Sequence, residues 1–230
     1  MANSSKSDRF AARRGRLLRK LRGGSADTLL VTNETNVSYL TGFSGDSSQL
    51  LIGPKHEILI SDSRYETQLK EECPGIDAHI RTSKTAMADA TAEVVNGSGL
   101  SRIGFESGSV SVQQHSQWAE RMPKLALIAT SGIVEELREV KDSEEVAEIR
   151  EAIRIAERGF VAARAAWLPE MTELEEAHEL EHLMRRFGAT KAAFDPIVAA
   201  GPRSALPHAR PSPARLSTSG FVLVDWGAIT

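Results

Sequence analysis

The residues best suited to chemistry lie near the end of the 230-residue chain. His208 stands between Pro207 and Pro211, so it is held on a stiff segment. Asp225 ends the apolar run 221–225, which predicts a strand buried on both faces, where a carboxylate is costly unless it is paired or bound to a metal. Each residue also has an ordinary interpretation, as a surface-loop histidine and as an aspartate that begins a turn. Together, an imidazole and a carboxylate in one short span suit general acid–base or metal chemistry.

A second candidate is His178-Glu-Leu-Glu-His182, which matches the H-E-x-x-H pattern of zinc proteases. In that pattern the two histidines lie one helical turn apart and bind zinc, while Glu179 acts as general base. The same helix carries further acidic residues: Glu173, Glu175, Glu176 and Glu181. Such a charge density favours a solvated helix face, and no glutamate follows residue 181 to supply a third ligand. We therefore interpret the motif as solvent-facing and not as a zinc site.

The first half of the chain predicts an α/β domain with a mixed sheet over residues 1–135. Short apolar runs predict strands at 28–31, 49–52, 57–60, 102–105 and 125–129. The tight connection Gly53-Pro-Lys-His56 predicts a hairpin between the second and third strands. Helices are predicted at 63–72, 84–95 and 111–120, the last with Ser111 as N-cap. The polar stretch 33–46 is interpreted as a long loop of the kind that often carries function.

The second half, residues 136–230, begins with two predicted helices. Asp142 with Glu145 forms a capping-box pattern ahead of a long amphipathic helix that ends before Pro169. The next helix starts at Thr172 and stops at Gly188. Residues 193–199 predict a strand interrupted by Pro196, and hence an edge strand or a bulged strand. Residues 200–219 form a Gly/Pro/Ser/Arg-rich connection.

Composition narrows the possible partners and compartment. A net charge of -3 gives no overall attraction to nucleic acid or to an anionic membrane, and no apolar segment approaches the ~20 residues that span a bilayer. Cys73 stands alone, which fits a reducing compartment. The basic, serine-rich residues 1–22 are interpreted as a first helix behind a disordered leader at 1–7, in preference to a transit peptide. These features predict a cytoplasmic protein that binds neither nucleic acid nor membrane.

Several ordered motifs resemble the N-terminal portion of the pita-bread metallopeptidases, the family of aminopeptidase P, prolidase and creatinase. The matching stretches are 39–45 (YLTGFSG), 61–65 (SDSRY) with Gln68, 137–142 (LREVKD), 194–198 (FDPIV), 205–209 (ALPHA) and 222–227 (VLVDWG). The resemblance implies a creatinase-type α/β domain, then the first part of an α+β pita-bread catalytic domain, and usually a homodimer.

The resemblance also implies the site. In this family two divalent ions, often manganese, are held by two Asp, one His and two Glu, and they activate a hydroxide that attacks the peptide carbonyl. Asp225 matches the first of those aspartates. His208 matches a histidine that does not bind metal but holds substrate and stabilises the tetrahedral intermediate. The implied substrate is a peptide with proline at its second position, cleaved by an aminopeptidase or dipeptidase.

The four other metal ligands of the family would lie beyond Thr230. We therefore expect a chain truncated inside its catalytic domain, which alone binds no metal tightly and has no peptidase activity. One alternative is a metal-free creatinase-type hydrolase with His208 as base, although creatinase does not keep the aspartate at Asp225. Another alternative is a non-catalytic fragment that dimerises or binds a partner through its N-terminal domain.

Overall fold

The computed structural model describes the backbone of residues 2–218 and 220–230, with side chains from residue 8 onward except at 218. It divides into two compact units, Met1–Val140 and Lys141–Thr230. The division falls five residues beyond the end predicted for the first domain. Each unit is considered by itself.

The first unit alternates helices and strands. Its helices are α1 (Ala2–Leu21), α2 (Glu34–Thr41), α3 (Glu66–Glu72), α4 (Met87–Gly97), α5 (Val112–Arg121) and α6 (Ile133–Glu139). Its strands are β1 (Leu29–Val31), β2 (Gln49–Gly53), β3 (His56–Asp62), β4 (Asp77–Arg81), β5 (Arg102–Glu106) and β6 (Ala126–Thr130). The expected α/β architecture is therefore confirmed.

These strands form one mixed sheet in the order β4-β3-β2-β1-β5-β6. Strand β2 is antiparallel to β1 and β3, and the other pairs are parallel. Gly53 pairs with His56, which confirms the predicted hairpin. The sequence did not predict β4, because its residues are polar or only half-buried at the sheet edge.

Helices cover both faces of this sheet. Leu29 and Val31 of β1 pack on one face with α1, α2, α3 and α6, and Leu30 packs on the other face with α4 and α5. All three side chains are 0% exposed. The alternation of a strand's side chains explains how one short run serves two cores.

The interpretation of residues 33–46 as a loop was wrong, because α2 lies within them. Asn33 caps this helix by accepting hydrogen bonds from the N–H groups of Thr35 and Asn36. Gly42 ends it in the left-handed region, at φ 80°, and a Cβ there would lie 2.4 Å from the Phe10 ring. The polar residues that suggested a loop are partly the caps of a short helix.

At the N-terminus α1 runs from Ala2, with Leu17 and Leu21 buried in the first core. This agrees with the predicted first helix. The disordered leader at 1–7 stays a prediction, because Met1 and the side chains of residues 2–7 lie outside the described part of the chain. Cys73 is buried, and its Sγ lies 3.6 Å from the Thr41 carbonyl oxygen as a hydrogen-bond donor. None of the described helices combines the length and apolar character needed to cross a membrane.

The second unit starts with α7 (Ser143–Ala165) and α8 (Glu173–Arg186). The helices begin at the predicted residues, each with a capping box, at Asp142 and at Thr172. The helices approach closely at Gly159, where a Cβ would lie 2.6 Å from Cγ of Met184.

Four short strands follow the helices: β7 (Lys191–Ala192), β8 (Ile197–Ala200), β9 (Val222–Asp225) and β10 (Ala228–Ile229). They pair antiparallel as β7 with β10 and β8 with β9. The strand predicted at 193–199 is therefore displaced, since β8 begins only after Pro196, whose ring nitrogen donates no hydrogen bond.

Candidate active site

Asp225 is the last residue of β9, where it pairs with Ile197 of β8. The residue after it, Trp226, is anchored to α7. Its Nε1–H donates to the Ala156 carbonyl at 3.0 Å, and its ring stacks on that of Phe160 with the ring centroids 4.3 Å apart. The prediction of a strand buried on both faces was wrong. The other residues of β9 are half-buried and Asp225 is exposed, because β9 has a neighbour on one edge alone within the described part of the chain. The carboxylate is thus held on a rigid element and open to solvent.

His208 lies in a turn after a 3-10 helix, Gly201–Ala205, that follows β8 directly. Its imidazole is exposed, while the next residue, Ala209, is buried and donates its N–H to the Leu206 carbonyl at 3.3 Å. The histidine is therefore presented at the surface of a loop that is anchored beside it.

Asp225 and His208 do not contact each other in the described structure. Asp225 pairs with the first residue of β8, whereas the segment carrying His208 leaves the last residue, Ala200. The two ends of such a strand lie roughly 10 Å apart. Among the residues described, no group of three or more His, Cys, Asp or Glu could hold a metal ion.

Glu173 was missed as a functional candidate, because the sequence placed it on a solvated helix face. It is 0% exposed. Its carboxylate accepts from the backbone N–H of Ala200 at 2.7 Å, from Nε of Arg203 at 3.0 Å and from Oγ of Ser212 at 2.7 Å. Burial alone raises the pKa of this carboxyl, but these hydrogen bonds outweigh it and the pKa is lowered. The sequence held one indication of this pair. Arg203 lies in a proline-bounded segment, and its positive charge needs a counter-ion.

Glu176 lies one turn further along α8 and was also predicted to face solvent. That prediction was wrong as well. It is also 0% exposed, and its carboxylate oxygens make no hydrogen bond of normal geometry with the described atoms, although the Trp167 side chain lies close enough to interact with them. Burial raises the pKa of this carboxyl, and the nearby Trp167 side chain opposes the shift only in part. A neutral, protonated acid is the form that such surroundings favour.

The two histidines of the H-E-x-x-H motif follow the prediction more closely. His178 and His182 are exposed on α8, opposite the buried residues Ala177, Leu180 and Met184. The solvent-facing interpretation is confirmed for the histidines and wrong for Glu173 and Glu176, since α8 buries a stripe that contains both glutamates.

Known proteins match both units. Residues 13–140 match the creatinase/prolidase N-terminal domain, and residues 147–230 match metallopeptidase family M24. The peptidase YqhT of Bacillus subtilis (strain 168) is 34% identical over 202 residues, which cover 88% of this chain and 57% of that protein.

Two solved structures share the fold. The Xaa-Pro dipeptidase from Bacillus anthracis has a TM-score of 0.88 at 34% identity, with 95% of this chain and 61% of that chain covered. The X-Pro aminopeptidase from Thermotoga maritima MSB8 has a TM-score of 0.83 at 32% identity, with 92% and 61% covered. This chain thus spans about three fifths of the length of the proteins it matches. It belongs to the creatinase/prolidase family, with that family's N-terminal α/β domain followed by part of a pita-bread M24 metallopeptidase domain.

Proposed function

We propose that this chain forms the N-terminal part of a metal-dependent peptidase that cleaves Xaa-Pro peptides. The observation that carries the proposal is the position of Asp225. In the stretch that matches metallopeptidase family M24, its carboxylate is exposed at the end of a paired strand and followed by an anchored tryptophan. Solved relatives with this fold are named Xaa-Pro dipeptidase and X-Pro aminopeptidase. Carboxylate oxygens are the ligands that hard divalent cations such as Mn²⁺ prefer.

Each site residue has a proposed role. Asp225 supplies one oxygen ligand to a pair of divalent ions, for which manganese is the proposed metal. His208 contacts the peptide and donates a hydrogen bond to the carbonyl oxygen as negative charge develops on it. When bound, the ions supply an activated hydroxide.

The donors present do not by themselves fit that metal pair. Asp225 is one carboxylate, and no metal-holding group of three or more suitable side chains occurs in the described ranges 2–218 and 220–230. We propose that it is inactive alone, and that the remaining ligands belong to the two fifths of the relatives' length that it does not match.

The proposal extends to assembly and compartment. The first unit contains a complete six-stranded sheet with helices on both faces, and we propose that the whole peptidase is a homodimer. The buried single thiol of Cys73 fits a reducing cytoplasm. Light scattering of this chain joined to the remaining part of a relative's catalytic domain tests the dimer, and a monomer at micromolar concentration would contradict it.

A chimera provides the test of the chemistry. Residues 1–230 are joined to the remaining part of the Bacillus anthracis Xaa-Pro dipeptidase, and hydrolysis of Xaa-Pro dipeptides is measured with Mn²⁺. We expect Asp225→Asn to lower kcat/KM by about 100-fold or more, because it removes a charged ligand. We expect His208→Ala to lower kcat by about 100-fold, the usual effect of losing one oxyanion donor.

The matched control is Asp77→Asn, the same substitution at an exposed position on β4 of the first unit. It is expected to leave the activity unchanged. An Asp225→Asn chimera as active as its parent would refute the proposed role of Asp225. A folded chimera that hydrolyses no Xaa-Pro peptide would refute the proposed function.

A further inference from the structure

One buried carboxylate holds both ends of the segment that carries His208. This segment, residues 201–211, is called here the His208 loop. Oε1 of Glu173 accepts the backbone N–H of Ala200 at 2.7 Å, immediately before the loop. Oε2 accepts both the N–H and the Oγ–H of Ser212, at 3.0 and 2.7 Å, immediately after it. The side chain of Glu173 therefore links the two ends of the loop, alongside backbone bonds from Gly201 N–H to the Phe221 carbonyl at 3.0 Å and from Leu174 N–H to the Ser212 carbonyl at 3.2 Å.

The loop also contains the counter-ion of that carboxylate. Arg203 donates from Nε to Oε2 of Glu173 at 3.0 Å and to Oε1 at 3.2 Å. Its Nη2 continues to the Arg210 carbonyl at 2.6 Å. The guanidinium thus ties the first half of the loop to its second half, two residues beyond His208. Charge-assisted hydrogen bonds of this kind are roughly twice as strong as neutral ones.

After the 3-10 helix Gly201–Ala205, the rest of the loop, residues 206–211, contains no helix or strand that could replace these bonds. Its internal backbone bonds include Leu206 N–H to the Arg203 carbonyl at 3.1 Å and Ala209 N–H to the Leu206 carbonyl at 3.3 Å. Ala209 is its one buried side chain within the described structure. Glu173 lies on a helix begun by a capping box, so the network transfers the rigidity of α8 to a short, exposed loop.

We propose that Glu173, acting through Arg203 and Ser212, is a positioning residue that holds His208 in the orientation it needs to meet the substrate. The inference rests on the proposed function of His208 and adds a residue that this function does not itself require. A side chain fixed before the substrate arrives loses less conformational freedom in the transition state, which raises kcat more than it lowers KM.

The first test uses the 230-residue chain and needs no activity. Hydrogen–deuterium exchange of peptides spanning 200–212 is compared between the parent and Glu173→Gln. Because a buried charge-assisted network is lost, we expect these amides to exchange about 10- to 100-fold faster. The matched control is Glu175→Gln, on the same turn of α8, because glutamine preserves its capping bond to Thr172. Unchanged exchange in folded Glu173→Gln would overturn the inference.

A second variant, Arg203→Lys, tests the same network if Glu173→Gln does not fold. Lysine retains the charge beside Glu173 but cannot also reach the Arg210 carbonyl as the guanidinium fork does. We expect faster exchange of the amides of residues 208–210, with the amides of Ala200 and Ser212 still protected. Equal protection along the whole loop would contradict the proposed tie through Arg203.

The second test separates positioning from general stability in the chimera. Glu173→Gln is expected to lower kcat about 10-fold with little change in KM. It is expected to have no further effect in the His208→Ala background, because a residue that acts through His208 has nothing left to position. Effects that multiply instead would refute the positioning role. If His208→Ala alone leaves kcat unchanged, the proposed role of His208 and the catalytic half of this inference fail together, whereas the exchange data still decide whether Glu173 orders the loop.

Discussion

Strands β1 and β9 carry similar apolar runs but have different surroundings. Strand β1 pairs on both edges, with β2 and β5, and its three side chains are fully buried. Strand β9 pairs with β8 on one edge in the described structure, and its side chains are half-buried or, at Asp225, exposed. The difference teaches that an apolar run indicates a strand, whereas the elements around the strand decide how deeply it is buried.

Two buried acids, one in each unit, also have different surroundings. Glu106 at the end of β5 accepts from the N–H groups of Thr32 and Asn33 at 2.7 and 2.8 Å, and from Nδ2 of Asn36 at 2.7 Å. Glu176 in the second unit is more deeply buried and has no such partner among the described atoms. Glu106 therefore resembles Glu173 of the second unit, whose carboxylate is also hydrogen-bonded, and Glu176 differs from both.

The largest expected effect tests the two strands directly. Leu30→Ala in β1 should lower the free energy of unfolding of the first unit by about 2–5 kcal/mol, because it leaves a cavity in a closed core. Val224→Ala in β9 should lower that of the second unit by about 1 kcal/mol, because the side chain is already half-exposed. Amide exchange in peptides from each unit measures both values separately. Equal losses would break the comparison.

A medium effect is expected at Glu176. Burial raises the pKa of this carboxyl above its ordinary value of 4.5, so the folded state keeps a proton that the unfolded state has released. Stability then falls as the pH rises from about 4.5 through the raised pKa. Glu176→Met should stabilise the second unit by about 1–3 kcal/mol at pH 8, and by less at pH 4.

Exchange-derived stabilities at the two pH values measure this gain. Glu170→Met is the control, since Glu170 is exposed and its replacement should give no pH-dependent gain. Glu106→Met in the first unit should have the opposite sign, because it strips three donors of their acceptor. A loss of stability in Glu176→Met at pH 8 would show that this carboxyl has a partner after all.

The smallest effect should be the same in both units. Ser111 and Asp142 each begin a helix with a capping box, in α5 and α7. Replacing either residue with alanine should cost about 1 kcal/mol, because a cap satisfies backbone groups within its own first turn. Exchange in the two helices measures the losses. A difference well above 0.5 kcal/mol would mean that the contrast between the units extends to their local structure.

Local signals made much of this fold predictable. Strands β1, β2, β3, β5 and β6, the hairpin at Gly53–His56 and the caps at Ser111, Asp142 and Thr172 all follow from short-range patterns. The short helix α2 was missed, because its capping residues are the same polar residues that mark loops. The burial of β9 was overestimated for a different reason: no local pattern records which edge of a strand is paired.

The site was less predictable than the fold. Asp225 and His208 stood out as an isolated carboxylate and a proline-bounded histidine. Their positions, however, depend on β8, because Asp225 pairs with this strand and the segment that carries His208 follows it in the chain. Glu173 could not be separated from the other glutamates of α8. Its burial depends on Arg203 and Ser212, and both lie far from it in the sequence.

The burial of Cys73 has a practical consequence for observing the His208 loop. Burial raises the pKa of its thiol to about 11, so roughly one thiol in ten thousand is a reactive thiolate at neutral pH. The native protein should therefore be silent towards maleimide dyes and spin labels. A cysteine introduced at exposed Leu206 would carry the label selectively, and motion of this loop could then be followed by spectroscopy without removing a native residue.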